Sequence, residues 1–101
     1  MKLKAMERLM LLGILPEKGD FATLKIVGKL RGDLSFTEKE HKNLSIKQTG
    51  KQITWDTLLD KGVDIDIGNV ARAIIVAALT ELDKKKELTP QQVSIYEKFM
   101  G

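Results

Sequence analysis

The stretch of residues 68–88, GNVARAIIVAALTELDKKKEL, is the most apolar run of the chain, and it decides the fold. Between Val70 and Leu79 only Arg72 is polar, and a helix of this composition is expected to be buried on more than one side. Its main stripe repeats at helical spacing through Ile67, Ala71, Ile74, Ile75, Ala78 and Leu82. We therefore expect a central helix around which the other elements pack.

The segment just before this helix predicts a strand. Val63, Ile65 and Ile67 alternate with Asp64 and Asp66, as expected of a half-buried strand. The two aspartates would project from one face, but two carboxylates without further oxygen ligands make a weak metal site. No metal is therefore expected.

Residues 44–55, LSIKQTGKQITW, predict a β-hairpin to which this strand adds as a third. With Thr49 and Gly50 as a two-residue turn, all apolar pairs fall on one face; the pairs are Leu44 with Trp55 and Ile46 with Ile53. A one-residue slip would scatter them over both faces. The turn type stays open, because a β-branched threonine resists positive φ.

Capping signals predict further helices on both sides. Asp20 precedes an apolar stripe that begins at Phe21, and residues 37–40 (TEKE) and 89–92 (TPQQ) have the spacing of capping boxes. A first helix is expected to end near Gly13. The prediction is one α+β domain over residues 1–101, with about five helices packed around a three-stranded antiparallel sheet and one buried central helix.

The composition excludes several kinds of chemistry. The 101 residues include no cysteine, so disulfides and thiolate sites are excluded, and the single His41 lies between lysines on a predicted surface helix. No nucleophile, base and orienting group come together at plausible positions, so a non-enzymatic protein without a cofactor is expected. Glu7 and Arg8 interrupt the apolar start, which argues against a signal peptide, and no other stretch is long enough to span a membrane.

A nucleic-acid site is one alternative. The first half of the chain carries ten basic and six acidic residues, and residues 20–55 give the helix, turn, helix, hairpin order of a winged helix. The contact residues for DNA or an acidic partner would be Lys39, Lys42, Lys47 and Lys51. A reader helix of about six residues with two glutamates and no Arg or Gln makes this the weaker alternative.

A protein-binding surface is the other alternative. Val76 lies between Arg72 and Thr80 on the otherwise polar side of the central helix. Either another helix covers Val76, or Arg72 and Val76 mark the surface where a partner docks.

Three stretches resemble small, functionally unassigned proteins of phages and prophages of Gram-positive bacteria. They are residues 21–26 (FATLKI), residues 34–38 (LSFTE), and residues 82–99 with LD, LT and YEKF at 82–83, 88–89 and 96–99. The resemblance implies an origin in a mobile element and supplies no activity, cofactor or site residues. We expect a cytoplasmic protein of the bacterial host cell that binds a host or phage protein or itself, with DNA binding as the alternative.

Overall fold

The computed structural model describes residues 1–100 and has an α+β architecture, as predicted. In chain order the elements are β1 (Lys2–Leu3), α1 (Ala5–Ile14), α2 (Phe21–Leu34), α3 (Glu38–Asn43), β2 (Lys47–Thr49), β3 (Gln52–Thr54), β4 (Val63–Asp64), α4 (Asn69–Lys84), a 3-10 turn (Pro90–Gln92) and α5 (Val93–Met100). Within these residues, four helices have eight residues or more, and α3 is a six-residue segment; about five helices were expected, with a short one at residues 38–43 among them.

The predicted caps form. The Asp20 carboxylate accepts a hydrogen bond of 2.7 Å from Thr23 N, which fixes the start of α2. At the start of α3, Glu40 N donates to Thr37 Oγ1 over 3.1 Å, and Thr37 N donates to the Glu40 carboxylate over 3.0 Å. These reciprocal bonds satisfy two backbone amides that a helix leaves open, so local sequence alone sets both helix starts.

The predicted three-stranded sheet is wrong. Two separate two-stranded antiparallel sheets form instead, β1 with β4 and β2 with β3. Lys2 pairs with Asp64 and Leu3 pairs with Val63, and Leu3 is fully buried. The start of the chain therefore takes the edge that the hairpin was expected to occupy. A two-residue strand carries no alternation pattern, which is why β1 gave no sequence signal.

The hairpin register also differs from the prediction. Gly50 and Lys51 form the turn, so that the cross-strand pairs are Lys47 with Thr54, Gln48 with Ile53, and Thr49 with Gln52. Gly50 has φ of +62° at the first central position of the turn, where only glycine is free of steric strain. The predicted turn would have placed Thr49 there. All six strand residues are exposed, so burial of an apolar face did not favour the predicted register over the one that the turn requires.

The central helix α4 is buried on one face only, which corrects the expectation of burial on several sides. Ile75 and Leu79 are fully buried, whereas Ala73 and Ala77 on the opposite side are exposed. The helix packs against α1, α2 and α5 rather than against a sheet. Small apolar residues such as alanine can remain exposed. The scarcity of polar residues in this segment therefore does not mean that the fold covers most of its surface.

One apolar core joins the helices to the β1–β4 pair. Its members are Leu3, Leu11, Leu15, Val27, Leu30, Leu34, Ile65, Ile75, Leu79, Ile95 and Phe99. No helix within residues 1–100 has the length and apolarity that crossing a bilayer requires.

Candidate functional site

The four predicted contact lysines lie on α3 and the hairpin, and all are exposed. Lys39 and Lys42 are on α3, Lys47 is on β2, and Lys51 is in the hairpin turn. Two backbone hydrogen bonds hold α3 and the hairpin together. Ile46 N donates to His41 O over 3.0 Å, and Asp56 N donates to Leu44 O over 2.9 Å. The structure thus brings the lysines onto one helix and the hairpin that follows it.

The predicted protein-partner residues lie against α5. The guanidinium of Arg72 is 5.3 Å from the centre of the Phe99 ring, and it donates a hydrogen bond of 3.4 Å to Phe99 O. Val76 is half-buried and packs against the core. The fold therefore covers Val76 in part, and a partner surface at Arg72 and Val76 stays a prediction.

An apolar concave surface lies elsewhere, between α2 and the first turn of α4. It is an open groove of about 430 Å³. The apolar residues that line it are Ile26, Leu30, Val70 and Ala71, and its remaining lining residues are Lys25, Lys29, Asp33, Asp66, Gly68 and Asn69. Such a volume with a mostly apolar lining is typical of a binding surface.

Two apolar side chains near this groove are unusually exposed. Val70 lines it with 60% of its surface exposed, and Phe21 is 82% exposed one turn before Lys25 on the same helix. Apolar side chains that remain in water beside an apolar groove extend the surface that a partner would cover.

The charges at the rim of the groove are arranged along its length. Lys29 and Asp33 form an exposed ion pair of 3.4 Å, one helical turn apart. Asp66, together with Lys29 and Asp33, also lines a neighbouring cleft that includes Asp64, whereas Lys25 lines only the groove. Asp66 therefore lies at the end that meets the acidic cleft, and Lys25 lies away from that end.

Lys25 and Asp66 also share a second property. Within residues 1–100, neither side chain has an oppositely charged group within 4.0 Å, in contrast to Lys29, Asp33 and Asp64. The groove thus has an apolar floor, with an unpaired cation and an unpaired anion at its rim.

A buried polar cluster lies on the other side of α1, around Glu7. Its carboxylate accepts hydrogen bonds from Lys4 N over 3.0 Å, from Ser94 Oγ over 2.7 Å and from Lys98 Nζ over 2.9 Å. Burial raises the pKa of Glu7, but these hydrogen bonds together outweigh it and hold the pKa below its ordinary value. The Glu7 carboxylate is therefore a weak base, and it is engaged in these hydrogen bonds. Because Ser94 and Lys98 lie on α5, the cluster attaches α5 to α1.

Sequence reasoning missed the groove because its two walls are far apart in the chain. Asp66 was considered as part of a predicted strand and as a weak metal ligand. Across residues 1–100, no three acidic or histidine side chains are close enough to hold a metal ion. Val70 was the available signal, since it stands in the first turn of α4 outside the main stripe.

The chain matches no known protein-family model, no curated protein and no solved structure.

Proposed function

We propose that this protein is a non-enzymatic interaction module that binds another protein chain through the groove between α2 and α4. The observation that carries the proposal is the groove itself, an apolar floor of Ile26, Leu30 and Ala71 that no other part of residues 1–100 fills. The resemblance to small phage and prophage proteins favours an accessory protein that acts in the cytoplasm of the host cell.

The occupant that fits is the apolar face of an amphipathic helix. The walls are themselves helical, and a helix packs against helices by setting its side-chain ridges into their grooves. The exposed Val70 extends the apolar surface on the α4 wall. Charged groups at the rim rather than on the floor would orient such a helix, because rim charges select a partner more than they add affinity.

The absence of cysteine from the chain permits a direct test. A Val70→Cys variant would carry a thiol-linked photo-cross-linker in the groove, and a Lys84→Cys variant would carry it at the far end of the same helix, about 20 Å away. We expect cross-linking of a protein chain from Val70→Cys and not from Lys84→Cys, with competition by excess unlabelled protein.

The result that would overturn the proposal is equal labelling from the two positions, or no cross-linked product from Val70→Cys. The purified protein and an extract of the expressing cells would both be irradiated, because the first contains only this chain.

A second candidate function is nucleic-acid binding through α3 and the hairpin. The observation in its favour is that residues 41–55 contain no carboxylate, so Lys47 and Lys51 on the hairpin face solvent without an acidic neighbour in sequence. Binding of this kind would involve phosphates more than bases, since α3 is short, has no arginine or glutamine, and carries its one asparagine, Asn43, at its last position.

Nucleic-acid binding would weaken steeply with salt concentration. Fluorescence anisotropy with a labelled duplex at about 50 mM salt is the measurement, with Lys47→Glu and Lys51→Glu as variants and Lys84→Glu as the charge-matched control. Selective loss in the hairpin variants would support this function, and absence of duplex binding by the unaltered protein would remove it.

A further inference from the structure

We propose that the chain that occupies the groove is a second copy of this protein, related by a two-fold axis, with Lys25 of each copy against Asp66 of the other. This inference rests on the proposed function, because it names the partner for the same groove.

The unpaired charges of the groove select this partner. An isologous dimer places one surface patch against itself, so that residue i of one copy meets residue j of the other and the reverse contact also forms. A patch can pair with itself in this way when a positive side chain and a negative side chain lie on opposite sides of its centre. Lys25 and Asp66 meet that condition, since within residues 1–100 neither has an oppositely charged group within 4.0 Å and Asp66 is at the end toward the acidic cleft.

The groove supplies part of the surface that such a dimer would bury. A stable interface buries about 800 Å² on each partner, which is about a tenth of the 7091 Å² of this protein. The groove floor and the exposed side chain of Val70, which lines the groove, would supply its apolar centre. The Lys29 and Asp33 pair is already neutralised within one helix, so it adds no net charge to the contact.

Because the contact is symmetric, it closes with two copies. Each groove is occupied in the dimer, which leaves no free groove to recruit a third copy. The expected species is therefore a dimer and not a filament.

Charge reversal tests the pairing. In sedimentation equilibrium, the unaltered protein is expected to dimerise at about 100 µM or below. Lys25→Glu would set two carboxylates against each other at both contacts of the dimer, and Asp66→Lys would set two ammonium groups against each other; each variant is expected to weaken dimerisation by at least about tenfold. Both side chains are exposed and unpaired, so both variants should keep the circular dichroism of the unaltered protein.

Mixing the two variants supplies the decisive comparison. In a mixed pair the two introduced side chains meet as glutamate and lysine, and the retained Asp66 of one copy meets the retained Lys25 of the other. Because both contacts are then favourable, two weakly associating variants should form a heterodimer. The double variant Lys25→Glu/Asp66→Lys should dimerise on its own, and the control Lys84→Glu should dimerise as the unaltered protein does.

Three results would overturn the inference: a strictly monomeric unaltered protein, a dimer insensitive to both reversals, or variants that stay monomeric when mixed. A monomer that still cross-links a different protein from Val70→Cys would remove the second copy as the partner and retain the proposed function. A monomer with no such product would remove both.

Discussion

The guanidinium of Arg8 and the carboxylate of Glu40 form a two-pronged ion pair that joins α1 to α3. The Arg8 side chain is 3% exposed, and its Nη2 lies 3.2 Å from Glu40 Oε1 while Nη1 bonds Oε2. The same guanidinium donates to Leu34 O over 3.0 Å and to Ser35 O over 2.6 Å. It also lies 4.1 Å from the centre of the Phe36 ring. One buried cation thus holds the end of α2, the connecting turn and the start of α3 in place.

Removal of the Glu40 charge is expected to destabilise the fold. Glu40→Gln would leave the buried Arg8 without its counterion, and the expected loss in the free energy of unfolding is about 2–4 kcal/mol. Urea denaturation at neutral pH is the measurement. Glu81→Gln is the control, because Glu81 and Lys85 form an exposed ion pair of 3.5 Å that should contribute less than about 0.5 kcal/mol. Equal effects of the two substitutions would show that the Arg8 pair does not stabilise the fold.

Acid is expected to weaken the protein through the same carboxylates. The Arg8 hydrogen bond lowers the pKa of Glu40 below its ordinary 4.5, and it outweighs burial, which raises the pKa. Glu7 also has a pKa below 4.5 in the fold. The unfolded chain therefore binds protons more readily below about pH 4.5, so the stabilisation is present above that pH and is lost as pH falls through the folded values.

Urea denaturation from about pH 7 to pH 3 measures this dependence. The free energy of unfolding should change little above about pH 5.5 and fall below about pH 4.5, with a smaller fall for Glu40→Gln than for the unaltered protein. A free energy that rises on acidification would contradict the assigned directions.

Glu7 and Arg8 also show what sequence could and could not supply. Caps were predictable because each depends on residues three positions apart, as at Thr37 and Glu40. In contrast, Glu7 and Arg8 looked like surface charges that interrupt an apolar run. Their burial depends on Lys98 and Glu40, which lie 91 and 32 residues away in the chain. No local periodicity reports such contacts.

The hairpin illustrates a second limit. Its existence follows from β-branched and apolar residues around a glycine, but its predicted register rested on burying one face. Ile53 remains 38% exposed, so its burial contributed little to the choice of register. The local requirement for positive φ at Gly50 decided the register instead. The groove was beyond prediction for a related reason, since residues 25–33 and 66–71 meet only after α2 and α4 pack.

Replacement of Gly28 by alanine is expected to stabilise the protein. Gly28 lies inside α2, and a Cβ added there meets no atom within 4 Å. Glycine within a helix costs about 0.5–1 kcal/mol relative to alanine, so Gly28→Ala should raise the free energy of unfolding by that amount. Thermal denaturation would show it as a higher melting temperature.

The matched control is Gly50→Ala, which should lower stability because Gly50 has φ of +62° and a Cβ is strained there. The assignment of Gly28 as a helix-interior position without contacts fails if both substitutions shift stability in the same direction.

Ile75→Asp tests the placement of the core. Ile75 is fully buried on the face of α4 that packs against α1, α2 and α5, and an aspartate there would bury a charge without a partner. The cost is comparable with the whole free energy of unfolding of a small domain, about 5–15 kcal/mol, so the variant should be unfolded by circular dichroism at 25 °C. Ala73→Asp is the control on the exposed side of the same helix, where the helix-propensity difference of about 0.7 kcal/mol is the main expected loss. Because both variants add the same charge to one helix, a cooperative melt for Ile75→Asp near that of Ala73→Asp would show that the buried face of α4 has been assigned incorrectly.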